Sequence, residues 1–444
     1  MSSEWTATTL GQICKTQGGA IQTGPFGSQL HTSDYKERGI PVVMPTNIGD
    51  GGIVEEGIAR IDQADVDRLS QHKLILGDII FSRRGDVTKN ALIGSREIGW
   101  FCGTGCLKVR MGNESIANAK FISHCLRQSN IKEWLIRHAV GATMPNLNTG
   151  ILSAVPIHLP PLRIQLEIAS ILGALDDRIA LLRETNATLE AIAQAMFKSW
   201  FVDFDPVHAK QQGRTPEGMD EATAALFPYS FEESELGLVP SEWKVGKVAD
   251  IGEVICGKTP PTSEAANYGD DVPFITIPDM HNLLVITSTN RSLSALGANT
   301  QKKKTLSPGS ICVSCIATAG LVARVTIQSQ TNQQINSVVS LAKWGKSFPL
   351  FTLRRIGDAV RAGGSGGSVF HNLNKSGFEQ LKVLFPSEQL ALAFSEIIEP
   401  FIEKITENQL NAQTLATLRD TLLPRLISGQ LRLPESEALV EAML

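Results

Sequence analysis

Two stretches of this chain, "GATMPNLNTGILSAVPIHLPP" (Gly141–Pro161) and "GGSVFHNLNKSGFEQLKVLFP" (Gly366–Pro386), carry the same signals in the same order. Each contains Asn-Leu-Asn, as Asn146-Leu147-Asn148 and Asn372-Leu373-Asn374, then a short apolar run, a proline and a long helical pattern. The shared offset, 146 to 372 and Pro160 to Pro386, is 226 residues. A repeat of this length decides the fold, because each copy must be a unit that folds alike. Earlier echoes extend it. "WTATTLGQI" (Trp5–Ile13) matches "WKVGKVADI" (Trp243–Ile251) at 238, and "GDIIFS" (Gly77–Ser82) matches "GSICVS" (Gly309–Ser314) at 232. The shrinking offset gives the second copy shorter surface loops.

Each copy has two parts. The first, about 150 residues, holds short β-type runs such as "GIPVVMP", "GDIIFS", "DVPFITIP" and "SVVSLA", broken by Gly, Pro, Asn and Asp, with a helix expected near 117–138. The second is a helix. Leu172, Leu175, Ile179, Leu182, Asn186, Leu189, Ala193 and Met196 step by threes and fours, which is the seam of a coiled coil. Adding 226 gives Ile398, Phe401, Ile405, Asn408, Ala412, Leu415, Arg419 and Leu422. About 36 residues of helix would run about 54 Å. Two such helices in one chain can pack along their seams, with Asn186 and Asn408 as polar positions that fix register. An antiparallel pair is expected, because a domain precedes each helix and the polar, acidic stretch 204–240 can carry the chain back as an extended linker.

At 444 residues, 42% hydrophobic and 19% charged, the chain exceeds one ordinary core. No run of eighteen apolar residues is present, so no membrane span is expected. The opening "MSSEWTATTLGQ" lacks the pattern of a secretory signal. Seven cysteines without framework spacing read as free thiols of a reducing cytoplasm. The net charge of −4 conceals a polarity. Residues 1–150 carry +2 (16 Lys and Arg, 14 Asp and Glu), residues 242–375 carry +6 (14 and 8), and the remainder carries −12 (11 and 23). Two neutral-to-basic blocks thus alternate with two acidic ones, which is compatible with phosphate contacts by the former.

Two similar but divergent heads on a helical spacer suit a ligand with two separated, different sites. DNA with a bipartite sequence fits, since half-sites about one helical turn apart, about 34 Å, can be read from one side. The residues also resemble a known family, the specificity subunit of type I restriction–modification systems. The resemblance is carried by "IQTGPFGSQLHTSDY" and "GIPVVMPTNI" in the first head and "GKTPPTSEAANYGDDVPFITIPDM" in the second. It is also carried by "GDIIFSRRGDVTKNALI", "LPPLRIQLEIASILGALDDRI", "LEAIAQAMFKSWFVDFDPVHAK", the terminal "LRDTLLPRLISGQL" and the duplication itself.

The resemblance implies an α+β protein of pseudo-twofold symmetry, with two strand-dominated target recognition domains separated by two long antiparallel coiled-coil helices. The expected boundaries are recognition domain 1–155, central helix 156–203, linker 204–240, recognition domain 241–384, C-terminal helix 385–432 and tail 433–444. It implies a non-catalytic, cytoplasmic host-defence subunit of bacteria or archaea that binds double-stranded DNA. Each head would read half of an asymmetric split sequence. The helices would dock two modification subunits, which methylate adenine with S-adenosylmethionine. Restriction subunits would use ATP and magnesium to translocate and cut. The competing reading is a two-headed coiled-coil scaffold without sequence-specific DNA binding.

The chain itself offers no catalytic site. It lacks the Asn/Asp-Pro-Pro-Tyr/Phe motif of an adenine methyltransferase, and "AGGSGGS" (Ala362–Ser368) lacks the Lys-Ser/Thr of a phosphate-binding loop. Cys312 and Cys315 have metal-like spacing, but no second pair lies near, and no metal or other cofactor is expected in this chain. Candidate DNA contacts lie in polar loops between strands. In the first head these are Gly27, Ser28, Gln29, Thr46, Asn47, Arg83, Arg84, Lys89, Thr143 and Asn146. In the second they are Lys258, Thr259, Asp279, Lys302, Lys303, Lys304, Thr318, Ser365 and Ser368. Asn148 and Asn374 read instead as caps of turns. Candidate partner contacts are Leu175, Leu182, Trp200, Phe201, Phe204, Leu415 and Leu422.

Overall fold

The computed structural model describes residues 5–49, 52–141, 144–316, 318–361, 373–427 and 431. The chain forms two compact units, residues 1–180 with 413–444 and residues 181–412. Each unit contains one head and a portion of both long helices.

The first head uses strands β1 (Thr6–Thr9), β2 (Gly18–Thr23), β3 (Tyr35–Lys36), β4 (Ile40–Val43), β5 (Ala59–Ile61), β6 (Ile79–Ser82), β7 (Asn90–Leu92), β8 (Phe101–Cys102), β9 (Cys106–Gly112) and β10 (Pro156–Leu159). They form a main sheet β2-β9-β6-β7, a second sheet β3-β5-β4-β8 and a ribbon β1-β10. Every residue of β6 is buried, so this strand reads as a continuous apolar run and is covered on both faces. Lys108, within β9, is buried with its Nζ donating to the Gln71 carbonyl at 2.6 Å. The helix expected near 117–138 is two helices, Ala119–Leu126 and Ser129–His138.

After a hairpin of β11 (Phe231–Ser234) and β12 (Gly237–Pro240), the second head uses β13 (Lys244–Lys247), β14 (Gly252–Cys256), β15 (Tyr268–Gly269), β16 (Val272–Ile275), β17 (Val285–Ile286), β18 (Ser292–Leu293), β19 (Ile311–Ser314), β20 (Val322–Val325), β21 (Gln330–Thr331), β22 (Ile335–Ser340) and β23 (Lys382–Phe385). The sheets are β14-β22-β19-β20-β17, β15-β18-β16-β21 and β13-β23. This is the strand order of the first head with β17 added at one edge. Even the parallel pair recurs, β4 with β8 and β16 with β21. The ribbons share a register: Thr6 faces Leu159 and Lys244 faces Phe385, the 238 and 226 offsets of the sequence. The duplication is thus a duplication of topology.

The last asparagine of each Asn-Leu-Asn caps a turn. Asn148 Oδ1 accepts from the Ile151 N–H at 2.8 Å and caps a short helix, Thr149–Ser153. Asn374 Oδ1 does the same for Gly377 at 2.8 Å and the helix Lys375–Glu379. The intervening Leu147 and Leu373 are buried. An N-cap of this kind contributes about 1 kcal/mol, and here it sets up the turn into the last strand of each head.

The long helices are Leu162–Phe201 and Glu388–Ile427, 40 residues each. They start later than 156 and 385, because β10 takes 156–159 and Phe385 closes β23. Along the seam, Leu172, Leu175, Ile179, Leu182 and Ala193 are buried, as are Ile398, Ile405, Asn408, Ala412, Leu415, Arg419 and Leu422. Within the second unit the pairing is antiparallel: Asn186 meets Asn408 while Phe197 packs on Phe394 with centroids 5.7 Å apart. Asn408 Nδ2 donates to Asn186 Oδ1 at 2.9 Å, and Asn186 Nδ2 donates to the Ile405 carbonyl at 3.0 Å.

Stretch 204–240 is not an extended linker. It folds as helix Asp205–Gln211, short helix Glu221–Ala225 and the β11-β12 hairpin. The central helix ends where Phe204 turns left-handed (φ 56°) and Pro206 opens the next helix. Val207 and Phe227 are buried. Lys210, also buried, donates to the Ala224 carbonyl at 2.9 Å and to the Phe227 carbonyl, with its ammonium 3.9 Å from the Tyr229 ring centroid. The polar composition hid the fold because the stretch's charged and apolar groups lack a helical or strand period.

Asn408→Ala strands the Asn186 oxygen in the seam and is expected to cost about 1–3 kcal/mol, read as a lower melting midpoint of the full chain. Asn186→Leu with Asn408→Leu, which removes both polar partners, is expected to recover most of that loss.

Candidate nucleic-acid interface

In the first head one edge of the main sheet gathers several loops. Thr23 faces Leu107, Ser82 faces Cys106, and Phe81 faces Asn90, so the loops 24–29, 83–89 and 103–105 leave the same edge. Val43 faces Cys102 in the neighbouring sheet, which brings 44–47 to that edge. Close backbone packing holds the loops together. The Gly24 N–H donates to the Cys106 carbonyl at 2.9 Å, Gly103 N–H to Val43 at 3.0 Å and Arg83 N–H to Gly105 at 2.8 Å. A Cβ on Gly24 would lie 2.0 Å from the Gly103 oxygen, so only glycine permits this approach.

The loop Arg83–Lys89 is the charged part of this edge. Arg83 Nε donates to Asn146 Oδ1 at 3.3 Å, and Arg84 pairs with Asn146 through the backbone. The structure therefore unites Arg83, Arg84 and Asn146, residues 63 positions apart in sequence. Arg84 and Lys89 are exposed. Thr88 donates twice to Asp86 Oδ1, from N–H at 3.1 Å and from Oγ1 at 2.6 Å, which stiffens the loop. A cleft of about 230 Å3 opens beside it, lined in part by Asp86, Lys89, Asn90, Arg127 and Lys132.

Gly27, Ser28 and Thr46 are exposed at the same edge. Gln29 Oε1 accepts from the Phe26 N–H at 3.1 Å. Asn47 is not a free contact. It is buried, its Oδ1 accepts from Met44 N–H at 3.1 Å, and its Nδ2 donates to the Val54 carbonyl at 3.1 Å, so the side chain is spent on its own turn. Thr143 lies outside the described residues.

The second head has the corresponding edge. Cys256 faces Asn336, Ser314 faces Ile335, Val313 faces Val322 and Ile275 faces Thr331, so loops 257–259, 315–321, 332–334 and the turn after Ile275 meet there. Lys258 is exposed, and its N–H donates to the Thr331 carbonyl at 3.0 Å. Thr259 Oγ1 donates to Gln333 Oε1. Thr318 is exposed, with its carbonyl accepting from Ser314 Oγ at 2.6 Å. Asp279 fails as a contact. It is buried and accepts from Thr276 N–H at 2.8 Å, Thr276 Oγ1 at 2.7 Å and Asn290 N–H at 2.8 Å, capping its own turn. Lys302–Lys304 form a separate turn after helix Ala295–Asn299, with Lys302 and Lys303 exposed. Ser365 and Ser368 lie outside the described residues. Asn332, Gln333 and Gln334 also stand at this edge and were missed in the sequence. Their only signal is three amides between two strands.

The candidate partner contacts are corrected. Leu175, Leu182, Leu415 and Leu422 are buried in the chain itself. Trp200 packs edge-on to Phe227 at 5.2 Å and Phe394 at 5.7 Å, and Phe201 to Phe348 and Phe394 at 5.1 Å each. Phe204 sits edge-on to Trp243 at 5.6 Å. Trp200 and Phe201 are buried in the second unit's core and present no free aromatic surface, while Phe204 is half-buried against it. Exposed apolar groups on the helices include Leu166, Leu181, Ile192, Leu392 and Leu410, of which Leu166 and Leu392, 50% and 36% exposed, occupy equivalent positions at the 226 offset.

In the first unit a half-buried charge cluster ties head to helices. Asp176 accepts from Arg127 at 2.9 Å and from Arg419 at 2.7 Å, so one carboxylate joins a head residue to both long helices. Burial raises the Asp176 pKa, but the charge of Arg127 and the hydrogen bonds of Arg127 and Arg419 outweigh it and hold the carboxyl below its usual range. His124 is pushed down to about 3 by burial first and by Arg127 next. It is therefore neutral, and its Nδ1 accepts from Arg127 at 2.7 Å. His72 is pushed down to about 4 by burial and by Lys108. The second unit ties its head to its helices through Arg354 with Glu190 and through Arg324 with Glu399 at 2.8 Å. Among the described residues no group of three or more His, Cys, Asp or Glu is placed to hold a metal ion, and Cys312 and Cys315 are buried. No described helix is long and apolar enough to cross a membrane.

Comparison with known proteins gives a consistent set of matches. The model of the type I restriction modification DNA specificity domain matches residues 2–191 and again 240–415, once for each half of the repeat. The type I restriction enzyme HindI specificity subunit of Haemophilus influenzae is 35% identical over 397 residues, covering 80% of this chain and 86% of that protein. The MjaIX specificity subunit of the archaeon Methanocaldococcus jannaschii is 26% identical, covering 71% of this chain and 70% of its own. The crystal structure of a type I restriction–modification S subunit from M. genitalium shares the fold at a TM-score of 0.51 and 15% identity, covering 95% of this chain and 96% of that one.

Both depressed histidines bear on stability. Unfolding returns His72 and His124 to the ordinary value near 6.5, so the unfolded chain binds more protons below that pH. Their contribution is complete above pH 6.5 and is lost progressively as the pH falls toward 4 and 3. The melting midpoint is expected to fall between pH 7 and pH 5. His72→Phe with His124→Gln is expected to flatten that dependence.

Proposed function

The chain belongs to the type I restriction–modification DNA specificity family, and we propose that each of its two heads reads one half of a bipartite, asymmetric DNA sequence. It is the DNA-recognition subunit of such a system. The observation that carries the bipartite reading is the pair of loop edges. The two heads share a strand order, yet one edge presents Arg83, Arg84 and Lys89 while the other presents Lys258, Thr259 and Thr318. Equal scaffolds with unequal loops suit two different half-sites, since strands fix loop geometry and loop side chains meet base edges. Exposed lysines, Lys89 and Lys258 among them, suit phosphate contact, which positions a protein on the duplex without selecting sequence.

The helices in this reading dock two modification subunits. The support is the repeat-related pair Leu166 and Leu392, which are exposed where the seam leucines are not. Two equivalent apolar positions on two helix copies suit two copies of one partner. Methyl transfer with S-adenosylmethionine, and ATP- and magnesium-dependent translocation and cleavage, belong in this reading to the modification and restriction subunits. The chain itself is a cytoplasmic, non-catalytic adaptor. Its contribution to the reaction is to hold a double-stranded target in register with a partner's active site, which is the positioning part of catalysis.

The test is co-expression with a cognate modification subunit, followed by single-molecule sequencing of host DNA for methylated adenine. A split, asymmetric motif methylated on both strands is the expected result. Exchanging residues 1–150 for the corresponding head of another family member is expected to change one half of that motif only. A change in both halves would contradict two independent readers.

A further inference from the structure

The two loop edges can be superposed residue by residue through their ladders. Ser82 and Ser314 both close the strand before the same loop, and Asn90 and Val322 both open the next strand. The loops are therefore "SRRGDVTKN" (Ser82–Asn90) and "SCIATAGLV" (Ser314–Val322). In the same way Cys102 matches Thr331 and Cys106 matches Ile335, so "CGTGC" (Cys102–Cys106) matches "TNQQI" (Thr331–Ile335) at equal length.

These pairs are reciprocal. The first head carries Arg83, Arg84, Asp86 and Lys89 in its β6–β7 loop and only Gly103-Thr104-Gly105 between β8 and β9. The second head has no charged or amide side chain in its β19–β20 loop and Asn332-Gln333-Gln334 between β21 and β22. Long hydrogen-bonding side chains occupy one loop or the other, never both. The glycines of the opposite loop answer to close packing: a Cβ on Gly103 would lie 2.4 Å from Met44 Sδ and 2.7 Å from the Val43 oxygen.

Within the amide loop the three residues are not equivalent. Asn332 is turned inward: its Oδ1 accepts from the Gln334 N–H at 3.1 Å and its Nδ2 donates to Gln334 Oε1 at 3.1 Å. Gln333 is the exposed member. Its Oε1 accepts the Thr259 hydroxyl, and among the described residues nothing accepts from its Nε2. The Thr259 hydrogen bond uses one lone pair of Oε1 on an exposed side chain, which leaves a second lone pair and the two Nε2 hydrogens as hydrogen-bonding capacity. That is the pattern that matches the N6 amine and N7 of adenine in the major groove. On the first head, Arg83 is held by Asn146, whereas Arg84 is exposed with no side-chain partner among the described residues. A free guanidinium on a braced loop matches O6 and N7 of guanine.

We propose that the heads read base edges from alternate loops: Arg84 selects a guanine in the first half-site, and Gln333, positioned by Thr259, selects an adenine in the second. The proposal rests on the bipartite-reader function above and assigns its specificity-determining residues.

The test uses the full chain assembled with its modification subunits and a DNA library randomised across both half-sites. Wild type, Arg84→Ala, Gln333→Ala and Gln333→Arg are compared by sequencing the bound fraction. Gln333→Ala is expected to lose adenine preference at one position of the second half-site, by about tenfold to a hundredfold, with the first half-site unchanged. Gln333→Arg is expected to move that preference toward guanine, a result that simple loss of structure would not give. Arg84→Ala is expected to relax one guanine in the first half-site only. Unaltered base preference in Gln333→Ala, or relaxation in the wrong half, overturns the assignment while leaving the bipartite reading standing. If the wild-type assembly selects no split sequence, the bipartite reading fails, and the assignment with it.

Discussion

A 40-residue helix with an apolar seam along one side cannot leave that seam in water, and this chain contains two of them. Their mutual burial is the constraint on which the rest depends. It is met by antiparallel pairing, seen where Asn186 meets Asn408 and Phe197 packs on Phe394. Leucine and isoleucine supply the driving force, but apolar seams alone tolerate sliding. The Asn186–Asn408 pair removes that tolerance, because a shift of one turn would leave buried amides unpaired. The Arg127–Asp176–Arg419 cluster then ties the first head to the same pair of helices. Buried ion pairs are poor stabilisers and good determinants of geometry, and here they sit where head orientation is set.

The sheets supply a second kind of constancy. A shared strand order, with β17 added at one edge of the second head, and matching ribbon registers survive low identity, because burial pattern and ladder register require only apolar residues at the right parity. Loop residues are under no such restriction. Hence the same frame can carry arginines at one edge and amides at the corresponding edge of its copy, and a change of target sequence needs no change of fold.

Much of this was legible in the chain. The seam steps and the repeated Asn-Leu-Asn anticipated the helices and the capping asparagines, and the offsets of 238 and 226 reappear in ribbon registers that the sequence did not foretell. What was not legible depended on tertiary context. Trp200 and Phe201 look like an exposed aromatic cluster until Phe227, Phe348 and Phe394, distant in sequence, are seen to cover them. Asp279 and Asn47 look like loop ligands, and only backbone geometry shows that their oxygens cap their own turns. Stretch 204–240 looks like a linker because Lys210, a residue seldom buried, is satisfied by two carbonyls that no pattern specifies. Gln333 escaped notice because its counterpart in the first head is a glycine-rich turn.

In the proposed function the paired helices set the distance between two independently read half-sites. Inserting one matched heptad into each helix, in phase with the seam, tests it directly. The insertion adds about 10 Å of helix, or about three base pairs of DNA. Sequencing of methylated motifs is predicted to show both half-sites unchanged and the non-specific spacer lengthened by about that amount. An unchanged spacer, with both half-sites still read, would contradict it.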